Sequence, residues 1–350
     1  MTVSTGAALA LGSAALFGAS TPLAKLLLDG VDPLMLAGLL YLGSGLGLFL
    51  VQVASRLRRP HAREAALHGR QWLWLGLAIL FGGIAAPALL MYGLSGTPAA
   101  AAALLLNLEP IFTVLLAWLF FGEGIGARIA LGMSAIATGA LVLSWQGGGA
   151  LGGLAAPAAI AAACLGWAVD NNLTRKIALT DPVQIAALKG GVAGVVNVAL
   201  ALSVGASVPT AGRIGAAAVV GLVGYGISLV LFVRALRDLG AARTGAYFSL
   251  APFFGAVLAV GLFGEALSAR LVIAGIAMGV GVWLHLTEHH EHEHGHRELE
   301  HEHSHAHDEH HRHAHGPDEA PGEPHSHRHV HRRLTHRHPH FPDVHHEHPH

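Results

Sequence analysis

Ten long apolar stretches constrain this chain more than any other feature of its sequence. Each has the roughly 20 residues that an α-helix needs to cross about 30 Å of hydrocarbon. Charged residues make up only 12% of the chain, against about a quarter in an average soluble protein. The sequence therefore predicts an all-α polytopic membrane protein with ten transmembrane helices. The predicted spans lie near residues 6–27, 34–54, 72–92, 98–121, 127–145, 153–172, 183–205, 213–233, 241–263 and 268–287.

The second half of this pattern repeats the first. Residues 107–123 read NLEPIFTVLLAWLFFGE, and residues 249–265 read SLAPFFGAVLAVGLFGE, 142 positions further on. Each copy has five spans, and because five is odd, the two copies must cross the membrane in opposite directions. Inverted repeats of this kind are typical of secondary transporters, whose substrate site lies near the midplane at the repeat interface. The sequence thus predicts inverted five-helix repeats at 1–146 and 147–287, followed by a tail at 288–350.

The duplicated motif also resembles a known family. The two P-(I/F)-F-x-x-x-L-A-x-x-x-F-G-E segments, each of which closes a five-helix half, resemble the EamA domains of the drug/metabolite transporter superfamily. The stretch GWAVDNNLTRK (166–176) is similar to the opening helix of a second EamA domain. The resemblance covers about residues 6–287 and implies a secondary transporter. It does not name the substrate, because the superfamily carries amino acids, sugars, nucleotide-related compounds and drugs.

Lysine and arginine in the short loops predict the orientation of the chain. With the N-terminus inside, the inner loops hold eleven of these residues, and the outer loops hold three, Lys25, Arg213 and Arg270. This bias predicts an integral protein of the inner or plasma membrane with both termini in the cytoplasm. The N-terminus has no basic region before its apolar stretch, so we expect a spanning helix there and not a cleaved signal peptide.

Glu109 is the clearest charged residue inside a predicted span. It lies about eleven residues into the fourth stretch, or roughly 16 Å at 1.5 Å per residue, which is close to the midplane. A charge at this depth costs at least a few kcal/mol. Pro110 follows it and removes a backbone donor. Two interpretations remain open: a central carboxylate that binds a cationic substrate or cycles a proton, and a protonated or hydrogen-bonded glutamate that holds helix packing.

Asp170 and Lys189 are predicted to form a pair on adjacent antiparallel helices. Each lies roughly 7–11 Å below the cytoplasmic surface. The pair is either a structural ion pair between neighbouring helices or a gate or coupling pair. The candidate substrate-binding residues are therefore Glu109, Asn107, Asp170, Lys189, Asn171, Tyr225 and Tyr247.

A Gly-Glu pair ends the repeated motif in each half. We interpret Gly122-Glu123 and Gly264-Glu265 as helix terminators, although each glutamate can also latch a neighbouring loop.

The tail is unlike the rest of the chain. Residues 289–350 hold 24 His, 12 Asp or Glu and 6 Arg. This composition lacks apolar periodicity and predicts disorder. Neutral imidazoles bind nickel, cobalt, zinc or copper, and a pH-sensitive charged brush is the competing interpretation. The candidate metal ligands are His289, His290, His292, His294, His296, His301, His303, His305 and His307.

Three functions are compatible with these features. The first is a gradient-driven exporter of a small organic metabolite that works by alternating access. The second is a transporter of Ni, Co, Zn or a metal chelate, with the tail as collector or sensor, and the third is a membrane-tethered metal buffer. The sequence has no Walker motif and no nucleophile elbow, so we expect no enzymatic activity and no required cofactor. The expected partners are the lipid bilayer and a small-molecule substrate, with Ni, Co or Zn ions on the tail, no nucleic acid, and a monomeric or homodimeric state.

Overall fold

The computed structural model describes residues 5–58, 69–121, 126–145, 154–177, 182–287, 291–296, 299–305, 325–331 and 334–339. The first half of the chain forms α1 (Thr5–Leu28), α2 (Pro33–Arg58), α3 (Gln71–Ala78), the π-helical segment π1 (Ile79–Ala85), α4 (Ala86–Gly96), α5 (Ala99–Leu105), α6 (Leu108–Phe121) and α7 (Ala127–Ser144). The second half forms α8 (Ala155–Arg175), α9 (Pro182–Ser203), α10 (Ala211–Gly221), the π-helical segment π2 (Leu222–Ile227), α11 (Ser228–Phe248), α12 (Ala251–Phe263) and α13 (Ala269–Leu286).

The helical architecture matches the predicted pattern of spans. Within the described residues, nine helical segments are long and apolar enough to cross a membrane. They correspond to every predicted span except the sixth, which is α8. This helix has 21 residues and is also long enough. Its mean hydropathy is low because Asp170, Asn171 and Asn172 occupy its C-terminal half.

Both repeats contain a transmembrane helix that is broken near its middle. In the first repeat the break falls at Leu106–Asn107, between α5 and α6, and in the second it falls at Ser249–Leu250, between α11 and α12. Each break is caused by a proline, whose ring clashes with the backbone carbonyl four residues earlier. Pro110 clashes in this way with the carbonyl of residue 106, and Pro252 with that of residue 248. The breaks therefore lie at equivalent places in the two repeats.

α11 reverses direction within its length. The rings of Phe232 and Phe248 have centroids 4.9 Å apart, although sixteen residues of straight helix would separate them by about 24 Å. The stretch between them is therefore the turn that leads from the eighth span to the ninth.

The third and eighth spans each carry a π-helical segment, π1 and π2. In π1, the N–H of Ala86 bonds to the carbonyl of Phe81, five residues back. Pro87 has no N–H, so the carbonyls of Gly82 and Gly83 lack their usual helical donors. Buried backbone carbonyls need partners, and these two are supplied from neighbouring helices.

Glycine lets equivalent helices of the two repeats pack backbone to backbone, as is common in lipid. α2 packs on α9, where an ideal Cβ on Gly190 would lie 2.8 Å from the Cα of Gly45. α7 packs on α13, where a Cβ on Gly281 would lie 2.6 Å from the carbonyl oxygen of Gly132. The inverted repeats thus meet through pairs of matching helices.

Four short strands lie in the tail: β1 (Glu291–His296), β2 (Leu299–His305), β3 (His325–His331) and β4 (Leu334–Pro339). β1 pairs antiparallel with β4, and β2 pairs antiparallel with β3. Composition predicts a disordered tail, within which the structure describes these short segments. There, histidine alternates with other residues at the period of two that suits a strand.

Candidate functional site

The break between α5 and α6 places Glu109 at the second position of α6. Its carboxylate accepts a hydrogen bond of 2.9 Å from the side-chain amide of Asn171 on α8. Glu109 also lies within electrostatic reach of Asp170 and Lys189. The structure therefore brings together four of the residues that the sequence singles out.

Asn171 is exposed, but it does not lie on the outward face of α8. The outward face is marked by the exposed residues Ala158, Ala162 and Leu165. At 100° per residue, Asn171 lies about 150° around the helix from their mean direction. Its neighbours Asp170 and Asn172 contact π1, α9 and α6, so its exposed surface is directed toward the interior of the helix bundle. This arrangement is suited to a polar vestibule.

Asp170 and Lys189 form the predicted ion pair. The ammonium of Lys189 lies 2.6 Å from Oδ1 of Asp170, and the hydroxyl of Thr174 donates to the same oxygen at 2.9 Å. Both partners are shielded, with 7% of the Asp170 side chain and 18% of the Lys189 side chain exposed. Gly82 faces the pair, because a Cβ at that position would collide with Oδ2 of Asp170.

The carbonyls released by π1 are bound by polar side chains. The carbonyl oxygen of Gly82 accepts hydrogen bonds of 3.0 Å from the hydroxyl of Tyr41 and 3.0 Å from the indole N–H of Trp167. The carbonyl oxygen of Gly83 accepts a bond of 3.2 Å from Asn197. π1 is thus fixed to α2, α8 and α9 at the depth of the ion pair.

Tyr225 of π2 lies beside this cluster. Its ring centroid is 5.7 Å from that of Tyr41 and 5.8 Å from that of Phe17 on α1. Since Tyr41 also contacts Trp167, an aromatic row connects both repeats next to the charged residues. Tyr225 therefore lies near the charged residues, and its role in substrate binding stays a prediction.

Asn107 is not brought to the same place. The amide of Asn107 donates to the carbonyl of Leu104 at 2.9 Å and contacts the sulfur of Met278. Its side chain therefore fills the break and faces α13. Tyr247 is the penultimate residue of α11, next to the second break, and Phe248, which ends the helix, packs on Phe17.

Sequence reasoning missed Tyr41, Trp167 and the two carbonyls of π1. A signal for them was present, because Gly82-Gly83 followed by Pro87 inside an apolar span is a pattern that frees backbone carbonyls. The side chains that would bind those carbonyls could not be read from this pattern.

The structure describes only one of the two glutamates that end the repeated motif. Glu265 binds the backbone N–H groups of Ala99 and Ala100 at the start of α5, so it does latch a neighbouring segment. Glu123, with Gly122, lies outside the described residues.

Histidine inside the spans has a packing role. The ring of His285 packs at Gly132, and its Nε2 lies 3.1 Å from the carbonyl oxygen of Ile129. In the part of the chain that the structure describes, no three His, Cys, Asp or Glu side chains are grouped as a metal site requires. Of the predicted ligands, His292, His294, His296, His301, His303 and His305 lie in β1 or β2, whereas His289, His290 and His307 lie outside the described residues.

Inverted repeats, broken helices and a polar cluster between them define the class of this protein, a polytopic membrane transporter. The chain belongs to the EamA-like transporter family, which matches residues 4–145 and 154–287. The resemblance to EamA domains is thereby confirmed. An uncharacterized transporter of Methanothermobacter thermautotrophicus is 30% identical over 282 residues, which cover 77% of this chain and 82% of that protein.

The fold is also found among solved structures. A crystal structure of a protein with 22% identity superposes with a TM-score of 0.57 and covers 81% of this chain and 97% of the other.

Proposed function

We propose that this protein is a gradient-driven secondary transporter that exports a small organic metabolite by alternating access. It is not an enzyme and requires no cofactor. Its loop charges favour insertion into the inner or plasma membrane with both termini in the cytoplasm. The substrate binds between the repeats, near Glu109, Asn171, Tyr225 and the Asp170–Lys189 pair.

The observation that carries this proposal is the pair of equivalent helix breaks, one of which places Glu109 against Asn171. Discontinuous helices at the repeat interface are where secondary transporters bind substrates and coupling ions. Ionisable residues are also costly inside a membrane, and they are retained there mainly at functional sites.

The charge balance of the cluster indicates what it binds. Lys189 is paired with Asp170, whereas the hydrogen-bond partner of Glu109 is the neutral amide of Asn171. Because Asp170 already neutralises Lys189, Glu109 has no ion-pair partner of its own among these residues, and an unpaired carboxylate is unfavourable in the membrane interior. Glu109 is therefore suited to bind a proton or the cationic group of a substrate, and to exchange one for the other during transport.

The test is the substitution Glu109→Gln, which keeps the size of the side chain and removes its charge. Cells that overproduce the native protein are expected to release one or more small metabolites into the medium, measured by untargeted mass spectrometry. Glu109→Gln is expected to lower that release about tenfold or more, because exchange at the carboxylate is lost.

Ser134→Ala is the matched control, because its hydroxyl is exposed and bonds to a carbonyl of its own helix, α7. Equal surface expression of both variants excludes an effect of folding. Release by Glu109→Gln at the native rate, or no change in any metabolite on overproduction of the native protein, contradicts the proposal.

A second candidate function is metal binding by the tail, as collector, sensor or buffer. It is favoured by the strand register, which sets His292 opposite His338, His294 opposite His336, His301 opposite His329, His303 opposite His327 and His305 opposite His325. Antiparallel partners have Cα atoms about 5 Å apart, and imidazole is a common ligand of Ni, Co and Zn. Five such pairs support binding of these ions at the tail.

A further inference from the structure

The turn between α4 and α5 is held from one side by Lys25. The ammonium of Lys25, near the end of α1, donates hydrogen bonds to the carbonyls of Leu94, Ser95 and Thr97, the latter two at 3.1 Å. These carbonyls belong to the last turn of α4 and to the residue that caps it, where helical carbonyls lack internal donors and a cation is favoured. Lys25 therefore fixes the end of the first span to the end of the third.

Glu265 holds the same turn from the other side. Its carboxylate accepts hydrogen bonds of 2.7 Å from the N–H of Ala99 and 3.1 Å from the N–H of Ala100. These are the first donors of α5, and an anion is favoured at this end of a helix. Glu265 follows α12, so it comes from the second repeat, whereas Lys25 comes from the first. We call the five hydrogen bonds of Lys25 and Glu265 to residues 94–100 the clasp.

The segment inside the clasp is closely packed. Leu94, Ala99 and Ala100 are fully buried, and they belong to the larger of two apolar clusters. The hydroxyl of Thr97 is buried without a hydrogen-bond partner, which disfavours the closed turn. The charged hydrogen bonds of the clasp offset this cost.

The lysine of the clasp breaks the symmetry of the repeats. At the offset of 149 residues that relates Asp32-Pro33 to Asp181-Pro182, the position of Lys25 corresponds to Thr174. The hydroxyl of Thr174 bonds to Asp170 within its own helix. The opposite face of the protein therefore has no lysine at the corresponding position.

The candidate site lies far from the clasp, on the other side of the fold. α8 begins beside the clasp, because a Cβ on Gly96 would lie 2.8 Å from the Cβ of Ala156. Asn171 comes fifteen residues later on α8, or about 22 Å further from the clasp. It is exposed toward the interior of the bundle and binds Glu109. Among the described residues, those at the clasp are thus packed, whereas Asn171 is exposed.

We propose that the clasp is the gate of one membrane face, and that Lys25 and Glu265 must release the α4–α5 turn before the candidate site can open there. The inference rests on the proposed function, because a gate of this kind serves alternating access. It goes beyond that function in naming the closed face and the residues that close it.

The experiment measures opening directly, without a substrate. Cys164→Ala removes the only native thiol, and Ala103→Cys adds a reporter one turn below the clasp. Ala103 is fully buried, and its Cβ would lie 3.1 Å from a Cβ on Gly255 of α12. In full-length protein in nanodiscs, where both faces are accessible, Lys25→Met and Glu265→Gln are each expected to raise the rate of maleimide labelling about tenfold.

Two further variants separate a gate from general loosening. Lys25→Arg keeps a cationic donor and is expected to label as slowly as the reporter protein. Arg213 is another cation that binds a backbone carbonyl, that of Gly30, but it is not part of the clasp. Arg213→Met should therefore also leave labelling slow. Slow labelling in both Lys25→Met and Glu265→Gln, or equally fast labelling in Arg213→Met, overturns the proposal.

Unfolding is monitored by the native thiol. Cys164 is fully buried, so in proteins that keep Cys164 and Ala103 the clasp substitutions should leave it unlabelled. Fast labelling of Cys164 would mean that the variants unfold, and it would overturn the assignment of the clasp to gating. Because labelling needs no transported compound, its outcome is independent of whether Glu109→Gln abolishes metabolite release.

Discussion

Two consecutive residues of α8 have different partners. Asp170 pairs with Lys189, whereas Asn171 binds Glu109. Successive helical residues are 100° apart, so one helix can present a structural pair to α9 and a polar group to the vestibule. The ion pair is shielded and is completed by Thr174, which fits a structural role. The pair also packs against Gly82 of π1, so a movement of π1 would disturb the pair.

A double-mutant cycle on the ion pair tests this at the residue scale. Asp170→Asn or Lys189→Met alone leaves one buried charge without its partner, which typically costs about 3–5 kcal/mol. Each single variant should lower the melting temperature in detergent, measured by intrinsic fluorescence.

The double variant Asp170→Asn/Lys189→Met removes both charges and should melt above either single variant. Additive losses in the double variant would mean that the two side chains are not coupled, against the structure.

At the scale of elements, glycine decides which helices meet. α2 and α9 approach so closely that their backbones touch at Gly45 and Gly190. In lipid, apolar surface alone does not determine which helices associate. Close contact between small residues determines it instead. The neighbour Gly191 has open space around an ideal Cβ, which gives a control in the same helix.

Gly190→Ala is expected to destabilise the protein, because its methyl group would meet the backbone of α2, and overpacking of this kind typically costs about 1–3 kcal/mol. Gly191→Ala should be neutral or stabilising by up to about 1 kcal/mol, since alanine is the better helix former. Thermal unfolding of both variants in the same detergent provides the comparison, and equal melting temperatures would contradict the close contact of α2 and α9.

At the scale of the whole molecule, the transport unit and the tail are separate in composition. The family match ends at residue 287, and the histidine-rich strands follow it. Each described strand of the tail pairs with another strand of the tail. Transport and metal binding should therefore be separable.

Truncation after Glu288 tests this separation. The truncated protein should keep its melting temperature and metabolite release, and it should lose binding of Ni, Co and Zn as measured by isothermal titration calorimetry. If Glu109→Gln abolishes cellular metal efflux while truncation does not, the metal is the cargo and the metabolite proposal fails. If neither variant alters metal content, the tail has no metal function in the cell.

Much of the fold could be predicted from the sequence because it depends on local chemistry. Apolar stretches of sufficient length specify spanning helices, and the duplicated motif specifies the inverted repeat. The proline after Glu109 predicts a disturbed helix, and the structure breaks the chain there. The Asp170–Lys189 pair could be predicted because both residues flank one short loop.

Other parts of the site depend on how the helices are rotated and packed. The sequence makes both Asn107 and Asn171 candidate substrate-binding residues, yet the first faces Met278 and the second faces Glu109. The sequence also counts Lys25 as an outer loop cation, whereas in the tertiary structure it binds the α4–α5 turn. Helical periodicity gives the angle between side chains but not the direction of the helix face, which is set by contacts with other helices. The sequence by itself therefore determined the spans, the repeat and the central carboxylate, and the tertiary structure decided which polar groups meet.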